Sequence, residues 1–287
     1  MTSERTRRET LQAIGATGAA ALVGRAATGT TAATDGTPSS PPVKLVPVDV
    51  DVDGTLYHAD PWTLGGIVVV EDGTVLRVDA DGVETITTEG VGGDGHDLYA
   101  TGIPPYRHGD VWVGGASGAF GIYDETAGTL RDRSNPAGVD AAIEGVAVLP
   151  AGPEDGAVVA GTSDGDLVYS LAGGAPGTFR RTSVLDDAQF SAVAAGCHYT
   201  GHAAGTDGTV VEFHLDYDAG DLAVHDVSPE NPERTYTQVH SVGRTVGESD
   251  CYACDRVHGF TVAGEDGAVA TTGGDTWRSA TVGDRHV

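Results

Sequence analysis

Three cysteines and one histidine have residue types and spacing that could hold a metal. Cys251 and Cys254 form a Cys-x-x-Cys pair, His258 follows them, and Cys197 lies earlier in the chain. Three thiolates and one imidazole suit tetrahedral zinc. In an oxidising compartment the same thiols would form a disulfide and leave one cysteine over. Zinc, a disulfide, and free or redox-active thiols are therefore three open interpretations of this group.

A second candidate is an alternating run of aspartates. Asp49, Asp51 and Asp53 precede Gly54, and Asp60 stands at position 12 of the same loop pattern. Carboxylates at positions 1, 3, 5 and 12 with glycine at 6 are the ligand pattern of a calcium loop. Aspartates on the wet face of a strand that alternates with valine give the same pattern. A calcium site and a solvated strand are both consistent with these residues.

The charge balance explains most other carboxylates without chemistry. The chain of 287 residues has 42 acidic and 16 basic residues, a formal net charge of −26, and Lys44 is its only lysine. Such a composition resembles that of proteins from concentrated salt, where ions screen the repulsion. Most aspartates and glutamates are therefore expected to be solvated surface. The same field repels phosphate groups, so we expect no nucleic-acid partner.

The N-terminus predicts export. Arg7 and Arg8 are followed by Leu11 and by a weakly apolar run over residues 13–23. This resembles a twin-arginine signal over residues 1–33; the other interpretation is the start of an ordinary amphipathic helix. The run is too short for a good spanning helix, so no transmembrane segment is expected in the mature chain. Residues 34–43 are predicted to be a disordered spacer that precedes a folded domain, the β domain at 44–287. The expected location is extracellular or at the cell surface.

A repeated hairpin pattern supplies the elements that must position these residues. Five copies cover residues 67–78, 112–123, 159–170, 202–213 and 261–272. Their turn glycines are 45, 47, 43 and 59 residues apart, in chain order Gly73, Gly118, Gly165, Gly208 and Gly267. Apolar residues stand five before and two after each glycine. We expect from this pattern a hairpin with one buried face.

Each repeat has room for four strands, which predicts an all-β fold. Four strands in every period of about 45 residues are typical of a β-propeller blade, so we predict five blades. A β-sandwich or a solenoid is the alternative, but a sandwich needs no fixed period. Residues 46–52 are either a strand that closes the ring or the remnant of a sixth blade. Loops that join first to second strands leave one face of a propeller, so the three thiols could meet there.

The last repeat resembles a known family. In its box, Gly274, Thr276 and Trp277 match the pattern Ser-x-Asp-x-Gly-x-Thr-Trp, while Thr272 replaces the aspartate and Ala270 the serine. The repeat is similar to those of Asp-box (BNR) propellers, most of all the branch related to photosystem II assembly factors. The resemblance implies a propeller fold and a packing role for Trp277. It implies no photosynthetic role, because no partner-binding residue matches.

We expect an exported, non-catalytic binding module that presents a face of loops to a protein or glycan partner. The alternative is an enzyme, either a degenerate sialidase-like glycan hydrolase or a metal-dependent catalyst that uses the cysteine and histidine loops. Sialidases of the Asp-box group bind a sugar carboxylate with several arginines. The candidates here show no such spacing: Arg77, Arg107, Arg180, Arg181 and Arg244. An enzyme also predicts a central funnel with paired acids or a tyrosine–glutamate couple.

Overall fold

The computed structural model of the chain contains five antiparallel sheets of four strands each. It describes residues 54–62, 65–79, 81–104, 110–149, 156–196, 199–229, 235–241, 260–264, 268–272 and 277–281. These ranges contain no α-helix, and their helical elements are single 3-10 turns at Glu71–Gly73, Ala116–Gly118 and Pro136–Gly138. No helix within them has the length and apolar character needed to cross a membrane. The prediction of an all-β fold with five four-stranded blades is confirmed.

The twenty strands follow one another blade by blade. Blade one contains β1 (Leu56–Trp62), β2 (Gly65–Val70), β3 (Val75–Asp79) and β4 (Gly82–Thr87). Blade two contains β5 (Leu98–Gly102), β6 (Asp110–Gly115), β7 (Phe120–Asp124) and β8 (Thr129–Asp132). Blade three contains β9 (Ile143–Leu149), β10 (Ala157–Thr162), β11 (Asp166–Ser170) and β12 (Arg180–Ser183). Blade four contains β13 (Phe190–Ala195), β14 (Thr200–Gly205), β15 (Val210–Asp216) and β16 (Asp221–Asp226). Blade five contains β17 (Tyr236–Ser241), β18 (Phe260–Gly264), β19 (Ala268–Thr272) and β20 (Trp277–Thr281).

The blades pack side by side through their first strands. Strand β1 packs against β5, β5 against β9, β9 against β13, and β13 against β17. The first strand of each blade is therefore innermost, as a propeller requires, and the sandwich and solenoid alternatives are wrong. Within the part of the chain that the structure describes, every blade is built from consecutive strands. Residues 46–52 lie outside that part, so the closing strand and the sixth blade stay predictions.

The hairpins are buried on both faces, so the expectation of one buried face is wrong. Val69 pairs with Val75 and both pack between blades one and two, whereas Val68 pairs with Leu76 on the opposite face of the blade. The middle strands of blades two to four pack against a neighbouring blade on each side and therefore need apolar residues on both faces. This explains why the apolar residues before and after their turn glycines point to opposite faces.

Trp277 has the packing role that was expected of it. Its ring packs at the core between blades four and five, which includes Ala204, Val210 and Val262. Its Nε1 donates a hydrogen bond to the carbonyl oxygen of Val227 at 2.9 Å, which joins the outer strand of blade five to the end of blade four. A buried indole N–H needs such an acceptor.

The same backbone contact recurs in four blades and supports the alignment of the repeats. The N–H two residues before each turn glycine donates to the carbonyl oxygen just before the first strand of its blade. The four bonds are Glu71 to Thr55 at 3.0 Å, Ala116 to Asp97 at 2.8 Å, Ser163 to Ala142 at 2.9 Å, and Thr206 to Gln189 at 2.9 Å. The turn between second and third strands therefore lies beside the linker that enters the blade.

Connectivity divides the propeller into two faces. The turn face carries the turns between second and third strands and the linkers between blades. The loop face carries the connections between first and second strands and between third and fourth strands. Because consecutive strands are antiparallel, these assignments hold for every blade.

Candidate functional site: an acidic cleft between blades three and four

The cysteine group lies outside the described residues, namely Cys197, Cys251, Cys254 and His258. The strands beside two of its segments are described: β13 ends at Ala195 and β17 ends at Ser241. Both strand ends lie on the loop face of neighbouring blades, as the sequence predicted. Whether these residues bind zinc or form a disulfide stays a prediction.

The aspartate run is also largely outside the described residues. Asp49, Asp51 and Asp53 precede the first of them, and only the backbone of Asp60 is described. That backbone pairs with Ile67 inside the sheet of blade one. Calcium binding stays a prediction. Across the described ranges no group of three or more His, Cys, Asp or Glu side chains is arranged to hold a metal ion.

The arginines considered for a sialidase-like site do not converge where the structure describes them. In blade one, Arg77 Nη2 lies 2.7 Å from Glu84 Oε2. In blade three, Arg181 Nε lies 3.5 Å from Asp166 Oδ2. Arg180, beside it on β12, donates to the carbonyl oxygen of Gly220 in blade four. Two further candidates lie outside the described residues, Arg107 and Arg244.

A tyrosine–carboxylate couple is present between blades three and four. The Tyr169 hydroxyl donates to Asp221 Oδ1 at 2.7 Å. This hydrogen bond, the Leu222 N–H and the Arg180 charge hold the pKa of Asp221 below its usual value. Burial, followed by the same bond to Asp221, raises the pKa of Tyr169. The phenol therefore stays protonated and the carboxylate ionised, which is the opposite of an activated nucleophile and its acid. The couple ties two blades together.

One enzyme-like motif was missed by the sequence reasoning. Residues 161–165 read Gly-Thr-Ser-Asp-Gly and match the pattern Gly-x-Ser-x-Gly. A nucleophile elbow joins a strand to a helix, whereas Ser163 lies in the turn between β10 and β11. Its Oγ accepts the N–H of Ala142 at 3.1 Å. The serine therefore fixes the entry to blade three.

A cleft of about 670 Å³ opens on the turn face between blades three and four. One wall runs over residues 182–188, from the last two residues of β12 into the linker that leads to β13. The other wall is formed by the turn residues Asp207 and Thr209 and by Asp226 at the end of β16. The cleft therefore lies between two blades and uses segments that are remote in the sequence.

The floor of the cleft is apolar. Leu185 and Val211 are buried there, and both belong to the core between blades three and four. Val184, Ala188 and Val224 are half-buried and pack against the same core. These side chains give the cleft a small apolar patch that is continuous with the interior, within a lining that is more polar than apolar.

Four aspartates form the rim. Asp207 accepts the Thr209 N–H at 2.9 Å and the Thr209 hydroxyl at 2.8 Å, which fixes its carboxylate. Asp226 is fixed in the same way by Ser228, at 2.9 Å and 2.6 Å.

The other two, Asp186 and Asp187, are exposed and make no hydrogen bond or ion pair with any residue that the structure describes. No Lys, Arg or His is among the described residues that line the cleft. Four carboxylates that line one concave site create a negative potential there. The site is therefore complementary to a cation with an apolar stem. In the sequence, the only signal was the Asp186–Asp187 pair in a linker, which looks like any other surface acid in this chain.

An aromatic surface lies at the loop face of blade four, formed by Tyr199, His214 and Tyr217. The Tyr199 and Tyr217 ring centroids are 5.8 Å apart with an interplanar angle of 73°. The Tyr199 and His214 centroids are 6.3 Å apart. Burial, together with the neighbouring Tyr199, raises the pKa of Tyr217 to about 12, so its hydroxyl is neutral.

Comparison with known proteins defines the class as β-propeller and goes no further. The sequence matches no protein-family model and no curated protein. Among solved structures it is similar to the computationally designed Ika8 protein, with TM-score 0.53 and 15% identity over 79% of this chain and 62% of that chain. It is also similar to U3-55K, with TM-score 0.52 and 12% identity over 79% and 66%.

A third similar structure is the Pan2 WD40 domain of Neurospora crassa, with TM-score 0.56 and 12% identity over 80% of this chain and 66% of that chain. The chain thus covers 62–66% of the length of these three structures. At such identities the likeness shows the fold alone. The Asp-box resemblance, the twin-arginine signal and the domain borders stay predictions.

Proposed function

We propose that this chain is an exported, non-catalytic interaction module that binds a protein partner through the acidic cleft. The observation that carries the proposal is the apolar floor of the cleft beneath four carboxylates, with no positive charge among the described lining residues. Propellers commonly serve as interaction scaffolds, and ligand sites are concave with few convergent polar groups.

The chemistry of the cleft favours a basic segment of the partner. Arginine and lysine cover apolar surface with their methylene groups and keep the charged end in a polar environment. The floor at Leu185 and Val211 suits the methylene groups, and Asp186 and Asp187 suit the charged end. A guanidinium would engage a carboxylate with two parallel hydrogen bonds. We therefore propose a partner segment in which arginine or lysine stands beside an apolar residue.

Export and a salty environment are part of the same proposal. The twin-arginine pattern over residues 1–33 and the net charge of −26 are the features behind these two proposals. High salt screens long-range attraction between exposed charges. Apolar contacts at the floor do not depend on this attraction. They would therefore maintain binding where exposed ion pairs alone would not.

The test measures affinity for a fluorescent peptide that alternates arginine and leucine, with a glutamine-for-arginine peptide as its neutral counterpart. In the full mature chain, the double variant Asp186→Asn/Asp187→Asn should weaken binding of the basic peptide about tenfold. The matched control is Asp81→Asn/Asp94→Asn, which removes the same charge from exposed positions in and after blade one. The control should change affinity less than about twofold. Equal effects of the two double variants would show that only net charge matters and would reject the cleft.

A further inference from the structure

Two large apolar side chains of the described residues are exposed, Tyr199 at 40% and Val83 at 38%, and Tyr199 is the aromatic one. Tyr199 lies on the loop face of blade four, at the opposite end of that blade from the acidic cleft. Tyrosine, which has an apolar ring and a polar hydroxyl, is enriched at interfaces.

Both the backbone and the ring of Tyr199 make contacts with blade four. The Tyr199 carbonyl oxygen accepts the Leu215 N–H at 2.8 Å, which extends the pairing of β14 with β15 by one residue. The Tyr199 ring makes an edge-to-face contact with Tyr217, and Tyr217 itself packs against the core between blades three and four. The Tyr199 ring therefore lies against a side chain that is anchored in the core.

Two carboxylates adjoin this surface in the chain. Asp216 and Asp218 flank Tyr217 and are exposed, and Asp216 Oδ1 accepts the Ala219 N–H at 2.9 Å. His214, two residues before Asp216 on β15, is also exposed. Ionised carboxylates only accept hydrogen bonds, and they suit ligands with several hydroxyl donors. Their charge repels sulfated, phosphorylated and carboxylated ligands.

We propose that Tyr199, with Tyr217, Asp216 and Asp218, forms a second binding site on the loop face, which takes the pyranose ring of a neutral glycan. The apolar C–H face of the sugar stacks on the Tyr199 ring, and sugar hydroxyls donate to the aspartates. The site is separate from the cleft and does not depend on the function proposed for it. Stacking and hydrogen bonds to a neutral ligand are little affected by salt, in contrast to an ion pair at the surface.

The experiment titrates the mature chain with neutral gluco-, galacto- and manno-configured tetrasaccharides and follows saturation transfer from protein to sugar protons by NMR. At least one sugar should bind. Tyr199→Ala should weaken its binding about tenfold, and Tyr199→Phe, which keeps the ring, should stay within about twofold. Affinity should change less than about twofold between about 0.2 M and about 3 M KCl.

Further variants separate the site from its alternatives. Tyr199→Leu keeps an apolar side chain without a planar face and should weaken binding like the alanine variant. Val83→Ala, at the other exposed apolar position, and Asp186→Asn/Asp187→Asn in the cleft should leave sugar binding unchanged. The proposal is overturned if no neutral sugar binds at about 10 mM, about tenfold above the millimolar affinity expected, or if Tyr199→Ala binds as well as the wild type. Salt-sensitive binding of charged ligands alone would equally overturn it.

Discussion

The hydroxyl of Tyr169 donates a hydrogen bond to Asp221 Oδ1 at 2.7 Å and so joins the third strand of blade three to the outer strand of blade four. The acidic cleft lies at the turn-face end of this junction, and the Tyr169–Asp221 bond lies toward its loop-face end. Because the cleft is formed by two blades, any contact that fixes their relative position also fixes the spacing of its walls.

Tyr169→Phe should lower the free energy of unfolding at neutral pH and change its pH dependence at both ends. The lowered pKa of Asp221 gives stability that is present above its unfolded pKa, about 3.9, and is lost as pH falls through the folded value. The raised pKa of Tyr169 gives stability that is present below about pH 10 and is lost as pH rises through the folded value.

The variant removes the tyrosine titration and the Tyr169 contribution to the lowered pKa of Asp221, whereas the Leu222 N–H and Arg180 remain. Its deficit should therefore be full near neutrality and should shrink near pH 3, which is below the unfolded pKa of about 3.9. Urea unfolding at the two pH values measures this. Asp221→Asn tests the coupling, since the double variant should cost little more than either single one. A deficit that is independent of pH would show that Tyr169 acts only through packing.

Gly165→Ala should destabilise the protein much more than Gly177→Ala. Both glycines have positive φ, +79° and +77°, so alanine costs about 1–2 kcal/mol at either position. At Gly177 an added Cβ meets nothing within 4 Å, whereas at Gly165 it would lie 2.6 Å from the Leu185 carbonyl oxygen and 2.7 Å from that of Ala188. We expect about 2 kcal/mol more at Gly165, measured by denaturant unfolding. Equal costs would mean that the linker moves away freely.

The period and the turn glycines predicted the fold because both follow from local geometry. In blades one to three the Asp-Gly or Ser-Gly turn reverses the chain and packs on a linker, so glycine recurs where φ is positive and where no Cβ fits. The sequence could not assign faces correctly, because Val68 and Val75 are both apolar and only the neighbouring blades show that they point apart. The cleft was not predictable, since Asp186 and Asp226 are far apart in the chain and resemble solvated acids. The zinc and calcium candidates lie almost wholly outside the described residues.

His58 should make stability fall as the pH is lowered from about 6.5 to about 4. Its Nδ1 accepts the Thr101 N–H at 3.2 Å and lies 2.6 Å from the Thr101 hydroxyl, which links blades one and two and requires an unprotonated nitrogen. Burial lowers the pKa of His58 to about 4. A folded pKa below the unfolded value means that stability is present above pH 6.5 and lost as pH falls through 4.

We expect a loss of about 2 kcal/mol over that range, less than the full shift implies because the ring is only half-buried. Unfolding experiments at several pH values measure it. His58→Gln should abolish this part of the pH dependence, while His225→Gln, at an exposed position on β16, should retain it. Retention of the full pH dependence by His58→Gln would contradict the assignment.

If two of the cysteines form the disulfide that is one interpretation of this group, the protein should yield one reactive thiol per chain when it is denatured without reductant. A disulfide among Cys197, Cys251 and Cys254 leaves one cysteine over, and an oxidising exterior favours it. Thiol counting before and after reduction measures this number, with Cys197→Ser as the variant that identifies the partner. Three thiols per chain would exclude the disulfide, and zinc analysis before and after chelation would then decide whether they bind metal.

The cleft is tested most directly by the methyl NMR signals of the protein during titration with the arginine–leucine peptide. Val184, Leu185, Val211 and Val224 line the floor, so their methyl shifts should move together and saturate with one affinity, while those of Val83 in blade one stay fixed. The same titration of Asp186→Asn/Asp187→Asn should need about tenfold more peptide. Shifts spread over the acidic surface, or no shifts at the four floor residues, would contradict the proposal that this cleft binds a basic segment.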